Sequence, residues 1–420
     1  MSTVIRSEEF CQAALEIADR KMFRDKIPTK LCSPRLGTGG VFEDIFLWDT
    51  VFCGHWAKYY SDRFPLEGSL DNFYLCQTED GFISRQIHSN GVSKWSSDYP
   101  ISFAPPLLSW IELEFHEMGL FPGRLEKKYP QLVKLHEFNR KWQREDGLYF
   151  SDPWGCGMDD LPRINNPSDY SRPGGIKFAR EAVLDEGEKG DLMYERLQKF
   201  RPGCFDLNRQ LGWVDTSCQV AFDALNLSKI ARILGKDDEA ECYLAEHKKL
   251  SETINELCWD DVEGFYRDYM DGTLIRHKHV GAFWSLLAEV APADRAERLI
   301  GHLTNPKTFG LPCGVPGLAA DDTEFGVEKV YYWRGPVWAP TMYMTLRGLR
   351  RYGRMDLAKD IAKRFYTAAY KIWEKTGTIW ENYSPLQCEK ESPAASPDFC
   401  GWSALIPITI YREFCNFAEK

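Results

Sequence analysis

Two near copies of one joint constrain this chain most. Gly235-Lys236-Asp237-Asp238-Glu239-Ala240 and Gly353-Arg354-Met355-Asp356-Leu357-Ala358 each pair a helix-stopping glycine with a helix-starting aspartate. Before the first joint, Val220, Ala224, Leu227, Ala231 and Leu234 step by four and three, one face of a helix. After it, Asp238 is the expected cap, with Glu241 completing a capping box and Tyr243, Leu250, Ile254 and Leu257 as the buried face. Asp294-Arg295-Ala296 begins a third such helix. Helix, stop, start, helix is an αα-hairpin, and several of them stack into a toroid or a solenoid. There is no fixed-period repeat, which favours the closed toroid. The expected fold is therefore all-α, a barrel of helical hairpins with long functional loops, minor short strands and a central funnel.

Other segments fit that frame. Residues 8–22 form an amphipathic helix with Phe10, Ala14, Ile17 and Met22 inward. Phe46-Leu47-Trp48-Asp49 opens a second helix running to about Tyr60, residues 82–87 read as a short strand, and Pro105-Pro106 precedes a helix over 107–118. Residues 145–175 lack any period and read as a long ordered loop of functional kind. No linker divides the 420 residues, so residues 1–420 are expected to form one catalytic domain.

Charge and cysteine usage exclude several classes. The formal net charge of −10 argues against nucleic acid as partner. Thirteen cysteines lie singly, with no C-x-x-C pair, so zinc has little support and the set reads as reduced cytosolic thiols. The first residues lack a signal-like apolar core, and the longest apolar run near the C-terminus, 404–410, is far too short to span a bilayer. A cytoplasmic protein with no metal, cofactor or membrane partner is expected, and homo-oligomerisation is left open.

Aromatic residues are 14% of the chain, more than packing needs, and they concentrate beside carboxylates and one cation. In Tyr331-Tyr332-Trp333-Arg334-Gly335-Pro336-Val337-Trp338, the Gly-Pro pair prevents regular helix and sets the aromatic plates and Arg334 in fixed directions. Flat rings suit the C–H faces of a sugar, and a guanidinium fork suits hydroxyls or a carboxylate. A Trp-rich core turn with Arg334 in an ion pair fits the same residues. Behind Trp154, the segment Gly155-Cys156-Gly157-Met158-Asp159-Asp160-Leu161-Pro162-Arg163 carries paired acids on a sharp turn, and Glu381-Asn382-Tyr383 sets a carboxylate among aromatics. Glycosidic cleavage needs one acid and one base or nucleophile of this kind. Taken singly, each acid also fits an ordinary turn or rim residue.

Together these segments resemble glycoside hydrolase family 63 and the neighbouring trehalases. The matching stretches are Phe46-x-Trp48-Asp49, Pro105-Pro106-Leu107, Gly157-Met158-Asp159-Asp160-x-Pro162-Arg163, Val214-Asp215, Trp259-Asp260-x-x-x-Gly264-Phe265-Tyr266-x-Asp268, Tyr332-Trp333-Arg334-Gly335-Pro336-x-Trp338, Glu381-Asn382-Tyr383-x-Pro385 and Phe399-x-Gly401-Trp402-Ser403. The resemblance implies an (α/α)6 toroid and an inverting α-glycosidase acting on a small α-glucoside or α-mannoside. It sets Asp159 on the general acid and Glu381 on the general base. It sets Phe46, Trp48, Asp49, Trp154, Asp160, Arg163, Asp215, Tyr332, Trp333, Arg334, Trp338, Tyr383 and Trp402 on the substrate-binding walls. In size the chain is similar to the bacterial mannosylglycerate and glucosylglycerate hydrolases. It departs from them at Gly155-Cys156, where the acid loop usually begins Glu-Ser, and at Ala104, where Gln is usual.

Two other readings use the same scaffold. A sugar 2-epimerase or lyase would need His or Tyr as base; only eight histidines occur, and His277 and His279 lie outside the expected funnel loops, as solvated loop residues. A non-catalytic sugar-binding protein would keep the aromatics and lose one acid, and both acids are present.

Overall fold

A computed structural model describes residues 6–95, 97, 103–153, 155–163, 192, 195–196, 199, 209–326, 332–388 and 395–415. Twelve helical elements among these make two concentric layers. The inner layer is α2 (Leu47–Ala57), α4 (Leu108–Glu117), α6 (Val214–Ile233), α8 (Trp284–Leu287, entered through a 3-10 turn at Val280–Phe283), α10 (Ala339–Arg351) and a C-terminal helix. That last helix is a 3-10 turn, Trp402–Leu405, passing into a π-wound segment, Ile406–Cys415. Each inner element packs on the next, and the C-terminal one returns to α2, so the ring closes. Outside it lie α1 (Ser7–Lys21), α3 (Leu66–Leu75), α5 (Arg124–Asn139), α7 (Asp237–Leu257), α9 (Ala293–Gly301) and α11 (Met355–Thr376). This is the (α/α)6 toroid.

The layers differ as their sequences require. Every residue of α2 is buried, and so is nearly all of α6. In the outer α7 only Ala240, Tyr243, His247, Leu250 and Ile254 are buried, one stripe at helical spacing, with Leu257 half-buried. A helix with apolar residues all round needs neighbours on every side, whereas an amphipathic one can face water.

Both glycine joints fold alike. Gly235 (φ 72°) and Gly353 (φ 68°) occupy the left-handed region that favours glycine. Lys236 N–H donates to the Ala231 carbonyl at 2.9 Å and Gly235 N–H to Arg232 at 3.2 Å. Arg354 to Leu349 (2.9 Å) and Gly353 to Arg350 (3.1 Å) repeat the pattern, a Schellman stop in each hairpin. The expected capping box is corrected: the cap is Lys236, two residues before Asp238, and it makes no side-chain bond, so α7 begins at Asp237. Asp237, Asp238 and Glu239 instead lie in the first turn, where negative charge suits the helix dipole.

Strands are few and short. Of the expected strand over 82–87, only Gln86–Ile87 pairs, with Ile45–Phe46. The expected helices at 8–22 and 107–118 are found within a residue or two. The reading of all cysteines as free thiols is also corrected, because Cys313 and Cys388 form a disulfide with Cα atoms 5.5 Å apart. Seventy-five residues separate them, so only the folded toroid brings them together. No helix among the described residues is long and apolar enough to cross a membrane.

At the end of the ring where the inner helices finish, Lys58 reaches Glu114 (2.6 Å) and Glu413 (3.1 Å), and Arg347 reaches Glu114 (3.0 Å). These ties join α2, α4, α10 and the C-terminal helix. The opposite end, where the inner helices begin, is left to the loops.

Candidate active site

The inner helices aim their N-termini at one region. Trp48 and Asp49 lie in the first turn of α2, Asp215 in the first turn of α6, Trp338 caps α10, and Trp402 begins the C-terminal helix. Two loops are zipped together above them. Val337 N–H donates to the Tyr383 carbonyl at 2.8 Å and Tyr383 N–H to Val337 at 3.0 Å, which carries Glu381 next to the aromatic segment. Trp402 Nε1 (3.2 Å) and Ser403 Oγ (3.3 Å) both donate to the Glu381 carbonyl.

Trp333 and Trp338 stack on each other, with centroids 3.9 Å apart and planes 7° from parallel. Both are essentially fully buried, so neither presents an open face. They form the backing of the wall. Tyr332, half-buried, meets Trp338 edge-on at 4.7 Å. Arg334 is likewise buried, with Nε on the Asp160 carbonyl (2.7 Å) and Nη1 on Glu324 (2.7 Å). Its fork is spent on the protein, as in the ion-pair reading of the segment.

The acid loop is pinned at both ends by buried Arg–Asp pairs. At its start Arg85 Nη1 bonds Asp152 Oδ2 at 2.5 Å and the guanidinium lies 3.5 Å over the Trp95 ring. At its end Arg163 grips Asp268 through Nη1 (2.8 and 2.7 Å) and Asp215 through Nη2 (2.5 Å). Arg163 and Asp215, expected on the substrate walls, thus hold each other beneath the loop. In its middle, Gly157 (φ 76°) lies against the face of Trp48, where an added Cβ would stand 2.7 Å from the ring. Asp160 is fully buried and accepts N–H bonds from Tyr332 (3.2 Å) and Trp333. It secures the loop, whereas the neighbouring Asp159 is partly exposed.

Three carboxyls share the site, and their environments differ. Burial, together with the nearby charge of Asp160, pushes Asp159 well above the usual carboxylate range; Asp49 and Asp152 add to this and Arg85 opposes it. Burial also raises Glu381 above its ordinary value, against the opposing hydrogen bonds from the Tyr332 hydroxyl and from the N–H and side chain of Ser396. Ser396 N–H donates to Oε2 at 3.2 Å, and Tyr332 Oη donates to Oε1. Asp49 is pushed up to about 8 by burial, against a Thr38 hydrogen bond, with the Glu381 charge adding. Asp49 is therefore in electrostatic reach of both Asp159 and Glu381.

Phe46 is half-buried at the rim, edge-on to Phe42 at 5.8 Å. Trp48 and Trp402 are mostly buried, and Tyr383 is buried with its hydroxyl on Trp380 N–H at 3.2 Å. Trp154 lies outside the described residues. Thr38, Arg85, Asp152 and Asp268 were not among the expected site residues. Asp268 closes one of the matching motifs, whereas nothing local marks the other three. The two histidines read as solvated are corrected: His279 is buried on Asp268 (3.2 Å) and His277 sits on Asp322 (2.9 Å). Among the described residues, no group of three His, Cys, Asp or Glu could hold a metal ion.

A toroid of this kind with two carboxyls at its loop end narrows the class but not the lineage. Residues 55–403 match the family described as mannosylglycerate hydrolase MGH1-like glycoside hydrolase domain. The chain belongs to this glycoside hydrolase family. Its similarity extends to the mannosylglycerate hydrolase of Rubrobacter radiotolerans, 28% identical over 313 residues, which are 69% of this chain and 68% of that one. It is 26% identical to a probable mannosyl-oligosaccharide glucosidase of Schizosaccharomyces pombe, covering 86% of this chain but 48% of that longer protein. The crystal structure of a GH63 mannosylglycerate hydrolase from Thermus thermophilus in complex with glucose superposes with a TM-score of 0.70 at 21% identity, covering 96% and 99% of the two chains. Family membership makes the chain a glycosidase, and the fold agrees.

Proposed function

We propose that this glycoside hydrolase is an inverting α-glycosidase of small substrates, an α-glucoside or α-mannoside of the disaccharide or glycosylglycerate type. Asp159 is the general acid and Glu381 the general base. The observation that carries the assignment is the contrast between their surroundings. Asp159 is desolvated among like charges, which raises its pKa and favours the proton-bearing form that can donate to the glycosidic oxygen. Burial raises Glu381 too, but hydrogen bonds from Tyr332 and Ser396 favour its carboxylate, the form a base needs, and it lacks the like-charge neighbour that Asp160 is to Asp159. In the reaction Asp159 gives its proton to the leaving oxygen as the bond to the anomeric carbon breaks. Water attacks from the opposite face and passes its proton to Glu381.

The mannosylglycerate hydrolases among the relatives make a glycosylglycerate the first substrate to try. NMR detection of released monosaccharide across trehalose, kojibiose, nigerose, glucosylglycerate, mannosylglycerate and glucosylglycerol tests the reading. Release from at least one is expected, and binding without release from any would contradict it. A cytoplasmic setting is our reading of the ten unpaired cysteines among the described residues, with Cys313–Cys388 the exception that thiol titration would check.

A further inference from the structure

The hydroxyl of Tyr332 does more than line the funnel. It donates to Oε1 of Glu381, while Ser396 N–H takes Oε2, so both oxygens of the carboxylate are held and its plane cannot turn. The backbone of the same Tyr332 is held in turn, because its N–H donates to Asp160 Oδ2 at 3.2 Å. Asp160 is the chain neighbour of Asp159. One continuous path therefore runs from the acid loop through Asp160 to Tyr332 and across its ring to the base.

From this path we infer that Tyr332 is the positioning residue of Glu381, and that Asp160 fixes where Tyr332 stands relative to Asp159. The inference rests on Glu381 being the base. A carboxylate offers about four lone-pair positions, and the donors from Tyr332 and Ser396 leave room for the attacking water. Inversion needs room for that water, so the spacing of the two carboxyls must hold while substrate enters and leaves. A hydroxyl tethered to the acid loop supplies such a spacer. The groups facing Glu381 are Asp49 from α2, the Tyr332 hydroxyl, the N–H and side chain of Ser396, and Trp402 from the C-terminal helix. Of the hydrogen bonds to the carboxylate, the one from Tyr332 lowers its pKa most. Removing its hydroxyl leaves the buried carboxylate less well solvated, so the carboxyl gives up its proton only at higher pH.

The probes are α-glucosyl fluoride and α-mannosyl fluoride, whichever the wild type turns over. Fluoride leaves with little help from an acid, so these substrates report the base step. Glu381→Gln must lose at least ~100-fold in kcat on the fluoride; if it keeps its rate, Glu381 is not the base and the proposed function itself falls. Given that loss, Tyr332→Phe is expected to lower kcat by ~10-fold or more with KM nearly unchanged. It should also move the acid limb of the kcat/KM profile to higher pH. The phenyl ring keeps its edge contact with Trp338, so melting should change little. Tyr332→His, which can again offer a donor, should recover part of kcat. A rise in KM alone, with kcat and the acid limb fixed, would overturn the inference and make Tyr332 a substrate contact. Loss of folded protein in both Tyr332 variants, with the remaining folded fraction fully active, would overturn it too.

Discussion

At the residue scale, adjacent carboxyls do different work. Asp159→Asn and Glu381→Gln are each expected to lose ~10²- to 10⁴-fold in turnover of an α-glycoside with unchanged melting. Asp160→Asn is a different case, since one amide oxygen cannot accept both N–H bonds without turning an N–H toward a donor. It should cost about 1–3 kcal/mol of stability, read by denaturant unfolding, and lower activity as well. Arg334→Lys should lose melting temperature and activity together, because its fork serves Glu324 and the Asp160 carbonyl. Activity lost with full stability would instead return Arg334 to the substrate. The family resemblance gave Asp159 and Asp160 different roles, but no local signal in the sequence separates them. Which of the two neighbours is tied down depends on Tyr332 and Trp333, about 170 residues away, whose N–H groups claim Asp160.

Glycines set the elements, and their substitutions should separate two effects. Gly235→Ala and Gly353→Ala meet no atom within 4 Å, so each should cost only the left-handed backbone, about 1 kcal/mol. The double variant should show the sum in denaturant unfolding, because the joints lie in different hairpins. Gly157→Ala adds a Cβ 2.7 Å from Trp48 and should displace the acid loop, losing activity far out of proportion to melting. Equal melting losses without loss of activity would contradict the packing of that loop on Trp48. The hairpins were legible in the sequence because apolar spacing and a glycine stop are local signals. The C-terminal inner helix was not: its apolar run over 404–410 shows no polar face, since all of these residues are buried. The Arg85–Asp152 and Arg163–Asp268 clamps were hidden for another reason, as each joins segments 67 and 105 residues apart.

The whole molecule depends on ties between the layers, and one of these titrates. His136 on α5 bonds Asp223 of α6 at 2.7 Å and Glu246 of α7 at 3.1 Å. Burial disfavours the imidazolium, but the two carboxylates outweigh it and raise the ring to about 9. A raised folded pKa gives stability that is fully present below about 6.5 and lost as pH climbs through 9, of the order of 3 kcal/mol in all. Melting temperature should therefore fall between pH 6.5 and 9, and His136→Gln should flatten that slope from a lower starting value. An unchanged slope in the variant would assign the loss to other groups.

At the scale of the toroid, the two carboxyls lie on loops of different hairpins, and inversion, the mechanism proposed for them, needs a water opposite the leaving group. Proton NMR during the first minutes of hydrolysis of an α-linked substrate tests this most directly. The β-anomer of the released sugar is expected to appear first and then mutarotate; an initial α-anomer, or a glycosyl adduct trapped on Glu381, would contradict the mechanism.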